Sequence, residues 1–311
     1  MADVSVGEPA GDESHDQPVA RPVKPIDEII QKALDKALYA NGNPVAQHAR
    51  DFLNGTWLGE PFHAALTDIP VGAWTAAMVL DGLDMAGSGK KLAYAADAAI
   101  AVGLAGAACA AVTGLADWSD VDPPARRTGM LHGLLNLGAT VLMTTSLVLR
   151  KRGARKSGCV ASTLGFATMS YAAHLGGQMV YDLRVGVDRT AGDEYPKRFT
   201  AVLAASRLHD GKPTRVMHDR TPILLVRRGE RVFALAETCP HFSGPLSEGK
   251  LVDDCIECPY HSSRFALEDG RVVNGPAVHP LPCLDVRTRK GQIEIRTRGA
   301  RRLRRGAKSM R

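Results

Sequence analysis

Four long apolar segments constrain the fold of this 311-residue chain more than any other feature. Ala98–Ala116, Leu131–Leu149 and Ser157–Tyr181 contain no charged residue, and Leu66–Met85 is interrupted only by aspartates. A helix needs about 20 mostly apolar residues to cross a bilayer. A soluble bundle of buried helices is the competing explanation, but the charges are concentrated in the short connections. We therefore predict a four-span bundle in the cell membrane, with the lipid bilayer as partner and frequent glycines allowing close helix packing.

Two shorter amphipathic helices are predicted before these segments. The first has apolar residues at helical spacing from Ile26 to Leu38. The second begins at Asn43-Pro44, a capping residue followed by a proline suited to the first turn, and ends near Asn54-Gly55. The predicted organisation is a disordered acidic tail at 1–25, amphipathic helices at 26–62, a membrane domain at 63–181, a linker at 182–199, a β-domain at 200–297 and a basic tail at 298–311.

The periodicity changes to that of short strands from about Thr200. Ile223–Arg227 and Arg231–Leu235 flank a turn containing Gly229, which predicts a hairpin. Leu284–Thr288 and Gln292–Arg296 flank Lys290-Gly291 in the same way. The predicted fold is therefore multi-domain, a four-helix α transmembrane bundle followed by an all-β domain.

Two short motifs carry the strongest chemical signal. Cys239-Pro240-His241 is followed, after sixteen residues, by Cys258-Pro259-Tyr260-His261, and each motif is expected in a loop that closes a hairpin. Two thiolates and two imidazoles are the donor set of a [2Fe–2S] cluster with two cysteines on one iron and two histidines on the other. A structural zinc site uses the same residue types, but zinc fingers pair cysteine with cysteine and histidine with histidine along the chain.

Residues 200–297 resemble a Rieske domain of the soluble ferredoxin type. The matching stretches are CPHFSGPL at 239–246, CPYHSSRFAL at 258–267 and GPAVHPL at 275–281. The resemblance implies an antiparallel β-sandwich whose two loops hold the cluster at one tip, with Cys239, His241, Cys258 and His261 as ligands. One departure is Ser262, where the family usually has glycine.

The resemblance also indicates which kind of Rieske centre to expect. Relatives in quinol-oxidising complexes carry an additional cysteine in each loop, joined as a disulfide, and those positions are Gly244 and Tyr260 here. This implies a ferredoxin-like centre. Ser263 is a candidate donor of a hydrogen bond to a cluster sulfur, which would raise the reduction potential.

The membrane portion resembles an uncharacterised bacterial four-helix membrane family that is sometimes fused to Rieske domains. Its matching pieces are H-x-x-x-x-D-I-P-V-G-x-W at 63–74, G-L-A-D-W at 114–118, H-G-L-L-N at 132–136 and H-L-G-G at 174–177. The resemblance implies no known activity.

Polar residues within membrane segments are candidates for function because they are costly there. All are predicted in the half of the bundle nearest the Rieske domain: His63, Asp68, Asp117, His132, Asn136 and His174. Three interpretations remain open. The group is a structural hydrogen-bonded network, a haem b or metal site using two of the three histidines, or a quinone pocket.

Positive charges flank both ends of the segments in equal number, so positive-inside counting does not decide the orientation. No export signal precedes the N-terminal tail, and we predict a cytosolic Rieske domain. The basic tail is interpreted as a solvated tail or a contact to anionic lipid, and nucleic acid is not an expected partner.

The predicted function is a membrane-anchored, one-electron carrier between a donor and an acceptor protein that the sequence does not identify. It is an oxidoreductase component and not a complete Rieske oxygenase, which needs a second domain with a mononuclear iron. A quinone-linked oxidoreductase with a quinone or haem site in the bundle is one alternative, and a redox sensor is another.

Overall fold

The computed structural model of the protein describes residues 29–31, 33, 43–88 and 90–298. The helices of the first half are α1 (Pro44–Asn54), α2 (Phe62–Leu83), α3 (Lys90–Ser119), α4 (Pro123–Lys151) and α5 (Arg155–Tyr181). Antiparallel β-structure occupies the second half, which confirms the predicted fold class. The two predicted tails and most of the helix expected at 26–38 lie outside the described residues.

Helix α1 begins and ends as its sequence predicts. The side chain of Asn43 accepts a hydrogen bond from the Val45 N–H, and Pro44 occupies the first turn. Gly55 ends the helix with φ of +88°, a left-handed conformation that glycine adopts without a steric cost. A side chain at Gly55 would collide with the backbone of Phe62, so this glycine also brings α1 close to α2.

Helices α2–α5 form two antiparallel hairpins, α2 with α3 and α4 with α5. The hairpins pack through a core that both contribute to: Trp74, Ala77, Ile100, Ala139, Met143 and Met169. We call the end of the bundle that holds α1 and the α3–α4 turn the near end. The opposite end, with the α2–α3 and α4–α5 turns, is the far end.

The outside of the bundle is apolar on all four helices. Val79 of α2, Val102 of α3, Leu137 of α4 and Val160 of α5 are each more than half exposed. A soluble bundle would present polar side chains there. Two helical stretches, Lys91–Ser119 and Ala125–Lys151, are long and apolar enough to cross a membrane by length and composition.

A buried ion cluster closes the far end. Arg150 of α4 makes a bidentate pair with Asp81 of α2 and bonds Asp97 of α3 at 2.9 Å. Arg155 of α5 bonds the same two carboxylates at 3.0 and 3.1 Å and also pairs with Asp84. Each helix thus supplies one charged residue to a single cluster.

The guanidinium of Arg150 is fully satisfied. Its Nε donates to Ser146 Oγ and its Nη2 to Ser162 Oγ, both at 2.9 Å, and the remaining N–H groups donate to the two aspartates. A guanidinium has five N–H donors, and here each has an acceptor. Such complete pairing allows a charge to be buried with little penalty.

The second half consists of two antiparallel sheets. The larger sheet has the strand order β1-β10-β9-β4-β3-β2 and the smaller one β5-β6-β7-β8. The strands are β1 (Thr200–Ala204), β2 (Thr214–His218), β3 (Thr221–Arg228), β4 (Arg231–Ala236), β5 (Lys250–Val252), β6 (Cys255–Glu257), β7 (Arg264–Ala266), β8 (Val272–Asn274), β9 (Cys283–Arg289) and β10 (Gln292–Thr297). We call this part the β-domain.

Both predicted hairpins are present in the β-domain. Arg228 pairs with Arg231 at the tip of β3–β4, and Arg289 pairs with Gln292 at the tip of β9–β10. Apolar side chains from the two sheets, including Leu224, Leu235, Ile256 and Phe265, share one buried core. This core positions the loops that leave the ends of β4 and β6.

Candidate metal centre

The two cysteine–histidine motifs meet at one end of the β-domain. The second motif closes the β6–β7 hairpin as predicted. The first does not close a hairpin, because it connects β4 of the larger sheet to β5 of the smaller one. Cys239 and Cys258 are each at most 3% exposed. The rings of His241 and His261 lie 5.1 Å apart at an interplanar angle of 85°.

The two loops share one backbone pattern. In the first, the Cys239 N–H donates to Gly244 O and the Ser243 N–H donates to Cys239 O. In the second, the Cys258 N–H donates to Ser263 O and the Ser262 N–H donates to Cys258 O. Ser243 and Ser262 therefore occupy equivalent positions, and both have left-handed φ values, of +58° and +59°.

This pattern explains the departure noted at Ser262. A left-handed backbone costs an L-residue about 1–2 kcal/mol, whereas glycine adopts it freely. Glycine is thus the residue that this position favours. Ser262 keeps the same backbone hydrogen bond at the expense of some strain, so the loop geometry is retained.

Backbone N–H groups stabilise negative charge on the sulfurs. Those of His241 and Phe242 point to the Cys239 sulfur, and those of Tyr260 and His261 point to the Cys258 sulfur. The Cys239 thiol and these N–H groups lower the pKa of Cys258 to about 7. The shared proton and burial raise the pKa of Cys239 well above its usual value. The thiolate is the form in which cysteine ligates a metal ion.

Burial and nearby charges disfavour a positive charge on the first of the two histidines. Burial lowers the pKa of His241 well below its usual range, and His261, Arg50 and Arg189 add repulsion against a positive charge. A neutral imidazole is the form that ligates metal ions. The ring of Phe242 packs edge-on against His241 at 4.4 Å between centroids, which restricts the ring orientation.

Gly244 leaves room for the sulfur of the opposite loop. A β-carbon there would lie 2.7 Å from Cys258 Sγ and 3.2 Å from the Tyr260 ring. The two positions that carry the disulfide in quinol-oxidising relatives are therefore neighbours in this fold. Ser263 is buried, and its Oγ accepts a hydrogen bond from the Ala277 N–H at 3.0 Å. The hydroxyl proton then remains available for a second acceptor.

This cysteine–histidine tip of the β-domain lies against the near end of the helical bundle. The carboxylate of Asp51 on α1 accepts a hydrogen bond from the Gly275 N–H at 2.7 Å. The Arg189 N–H, in the segment after α5, donates to Pro240 O at 3.1 Å, and its guanidinium lies 5.7 Å from the centre of the Phe242 ring. The tip thus contacts both its N-terminal helix and its own linker.

A cleft of about 350 Å³ remains between the tip and the bundle. His261 and Ser262 line one side. The other side is formed by residues of the near end, of which all but Val121 are polar: Gln31, Arg50, Ser119, Asp120, Val121, Asp122 and Arg126. Arg50 and Asp120 form a buried ion pair at 2.7 Å within this wall. The Gln31 amide donates to the carbonyls of Trp118, Ser119 and Val121, where α3 ends.

Comparison with known families agrees with this geometry. Residues 198–285 match the family model described as the Rieske [2Fe-2S] domain. Ferredoxin CarAc of Metapseudomonas resinovorans is 34% identical over 95 residues, which cover 30% of this chain and 89% of that protein. The chain belongs to the Rieske [2Fe–2S] family. The cofactor of its Rieske domain, as we now call the β-domain, is therefore a [2Fe–2S] cluster.

Other relatives are of the same kind. The ferredoxin component of biphenyl 2,3-dioxygenase from Rhodococcus jostii (strain RHA1) is 35% identical over 82 residues, covering 26% of this chain and 77% of that protein. The solved ferredoxin of carbazole 1,9a-dioxygenase from Nocardioides aromaticivorans IC177 is 28% identical, with a TM-score of 0.31. It matches over 33% of this chain and its own entire length.

The helical part has a family match of its own. Residues 59–189 match the model described as "Predicted membrane protein (DUF2231)". The predicted combination of a Rieske domain with an uncharacterised membrane domain is thus confirmed. The match extends from the segment before α2 to the linker that contacts the Rieske tip.

The bundle brings together only part of the polar group predicted in it. The rings of His63 and His132 lie 6.3 Å apart, and Asn136 bonds His132. His174 is exposed on α5 beside Gln178, and Asp68 is exposed on α2. Sequence position gives the depth of a residue along a helix, but its face depends on packing. His174 lies at the same depth along the bundle as the other polar residues, but its side chain is on a different, exposed face.

Two features of the site were missed in the sequence. The left-handed serines could have been found from the family glycine at one of them. The contact between α1 and Gly275 joins residues 224 positions apart, and no local pattern indicates it. The far-end ion cluster was also missed. Asp81 and Asp84 were interpreted only as interruptions of an apolar segment, and Asp97 was not singled out.

Proposed function

We propose that this protein is a membrane-anchored one-electron carrier whose [2Fe–2S] cluster is ligated by Cys239, His241, Cys258 and His261. The observation that carries the proposal is the meeting of a buried thiol pair and an imidazole pair in two matching loops. When bound, such a cluster supplies a one-electron site without an open coordination position. The chain's own residues would hold it and exclude water from the thiolates.

The donor set fits two adjacent irons better than one ion. The cysteines pair with each other and the histidines with each other. Among the described residues, no three side chains of His, Cys, Asp or Glu surround a single point as a tetrahedral zinc site requires. Ser263, fixed by Ala277, is proposed to donate its proton to a cluster sulfur and raise the potential.

We propose that all four helices of the bundle span the membrane, over residues 63–181. The apolar exterior of α2 and α5 supports this, as does the hydrogen bonding of exposed hydroxyl groups. These donate to carbonyls three or four residues earlier in the same helix: Thr67, Thr75, Thr144, Thr145, Thr163, Thr168 and Ser170. A hydroxyl satisfied by its own helix can face hydrocarbon at low cost.

We propose a cytosolic Rieske domain. Two of the loop-side arginines, Arg150 and Arg155, are engaged with aspartates inside the far end. On the side of the termini, Arg50 is engaged with Asp120. Fewer positive charges still remain to face the headgroups on the loop side than on the side of the termini. A C-terminal fluorescent or phosphatase reporter tests this, since fluorescence without phosphatase activity is expected, and the reverse result contradicts it.

The electron partner is proposed to act from the membrane side. The named relatives are ferredoxins of dioxygenases, which makes an oxygenase-type partner protein the analogous alternative. In this chain, however, α1 and the linker cover the tip at which the cluster ligands lie. A separate protein would have to displace α1 and the linker to reach the tip, whereas the helical bundle already contacts it.

Purified full-length protein tests the carrier function. We expect non-haem iron and acid-labile sulfide in equal amounts, and a [2Fe–2S] EPR signal after reduction with dithionite. Cys258→Ser should abolish both, and the matched control Cys255→Ser, three residues earlier on β6, should retain them. Zinc without sulfide, or an unchanged signal in Cys258→Ser, would contradict the proposal.

A further inference from the structure

Two histidines face each other inside the near half of the bundle. His63 belongs to the hairpin of α2 and α3, and His132 belongs to that of α4 and α5. Their rings are 6.3 Å apart, centre to centre, at an interplanar angle of 86°. Both are half-buried, and they meet where the two hairpins face each other. The close-packed core around Trp74 and Met143 lies farther along the bundle.

Backbone carbonyls fix both rings in the same tautomer. His63 Nδ1 lies 2.8 Å from Ala110 O, and His132 Nδ1 lies 2.8 Å from Ala172 O. Because a carbonyl can only accept, each Nδ1 carries the proton and each Nε2 keeps a lone pair. A histidine that donates through one nitrogen to a carbonyl and offers the other is the usual arrangement of a metal ligand.

Glycines make room for these rings. A β-carbon at Gly114 would lie 2.8 Å from His63 Cε1, and one at Gly176 would lie 3.3 Å from His132 Cε1. Each ring therefore rests against the backbone of the helix that faces it. The rings are positioned by neighbouring helices and not by their own helix alone.

We propose that His63 and His132 are the two axial ligands of one haem. Metal–nitrogen bonds of about 2 Å place two imidazoles on opposite sides of one ion about 6 Å apart between ring centres. The measured 6.3 Å fits this arrangement. A bare ion would need further protein ligands, and the described part of the chain brings no third His, Cys, Asp or Glu to the pair. A porphyrin supplies four nitrogens of its own, so two histidines suffice.

Asn136 is compatible with this assignment. Its amide nitrogen lies 3.1 Å from His132 Nε2 and donates to His132 O at 3.0 Å. Iron would take the place of the Asn136 amide at His132 Nε2, and the hydrogen bond from the amide to His132 O would remain. The amide thereby marks which nitrogen of His132 has the free lone pair.

The proposal rests on the proposed function, because it places a second one-electron site beneath the Rieske tip. Along α4, His132 follows Arg126 by six residues, and along α3, Ala110 precedes Ser119 by nine. At 1.5 Å per residue these separations are about 9 and 14 Å. Arg126 and Ser119 line the cleft below His261. When one electron passes between the two sites, one iron centre is oxidised and the other is reduced, each by one unit of charge. No covalent bond forms or breaks.

Full-length protein purified in detergent from haem-supplemented cells tests the site. We expect one b-type haem per chain by pyridine haemochrome assay, with a reduced α-band in the optical spectrum. His63→Ala and His132→Ala should each lose it. The matched control is His174→Ala, on the exposed face of α5, which should keep full haem content. His132→Met should retain haem with a shifted spectrum, which separates lost ligation from a failure to fold.

EPR of the reduced cluster in the same samples separates the two proposals. Cluster without haem in the wild-type protein overturns the haem site and leaves the carrier function standing. Absence of the cluster overturns the carrier function. A metal ion without porphyrin, or haem that survives both alanine substitutions, also overturns the assignment.

Discussion

The two ends of the helical bundle are built on opposite principles. The far end is closed by a charged cluster to which every helix contributes, and the arginine at its centre has all its donors satisfied. The near end holds two histidines with one nitrogen each bound to a carbonyl, and it is covered by the Rieske tip. In a low-dielectric surrounding, complete charge pairing serves stability. Side chains that use only part of their hydrogen-bonding capacity keep atoms available for binding.

The largest effect is expected at the far end. Arg150→Met leaves Asp81 buried without its main partner, which should cost about 3–5 kcal/mol of folding stability. Thermal unfolding in detergent measures this. The matched control, Arg152→Met, changes an exposed side chain two residues away and should be nearly neutral. Equal melting temperatures for Arg150→Met and Arg152→Met would contradict the stabilising role of the far-end ion cluster.

The next largest effect concerns the Rieske tip at the near end. Gly244→Ala puts a methyl group 2.7 Å from Cys258 Sγ, and overpacking of this kind costs about 1–3 kcal/mol. We expect cluster content to fall severalfold while the bundle stays folded. Iron, sulfide and helical circular dichroism report the two parts separately. Gly192→Ala in the linker serves as the control, because a β-carbon there would meet no atom within 4 Å and the backbone is not left-handed.

A smaller effect is expected where the tip meets α1. Asp51→Ala removes the acceptor for the Gly275 N–H. It should weaken the docking of the tip on α1 by about 1 kcal/mol, which is a roughly fivefold change in the docking equilibrium. Hydrogen exchange at Gly275 and in the linker should increase accordingly. Asp51→Asn retains an acceptor oxygen and should behave like the natural protein. Unchanged exchange in Asp51→Ala would mean that this contact does not hold the tip.

The smallest effect should be stabilising. Ser262→Gly relieves a left-handed backbone and should add about 1 kcal/mol to the stability of the cluster loop. Loss of visible absorbance on heating measures it. The equivalent position in the other loop, Ser243, offers an independent repeat, and a destabilising result at both would contradict the assigned strain.

Features whose residues are close in the sequence were predicted, whereas features that join distant residues were missed. The caps of α1 and both hairpins were predicted, since Asn43, Gly55 and the turn glycines act within a few residues. The two cysteine–histidine motifs could be recognised because each is short. The far-end cluster joins Arg150 to residues 53 and 69 positions away, and only packing brings them together. His174 was grouped with His63 and His132 by its depth alone, and packing leaves it exposed on α5.

The hydrogen bond between Asp51 and Gly275 also has a consequence for biogenesis. The ribosome makes α1 early, but the residue that α1 binds is translated 224 positions later. The near end therefore stays open during membrane insertion and closes only after most of the Rieske domain has emerged. Cofactors destined for this end have that interval in which to enter.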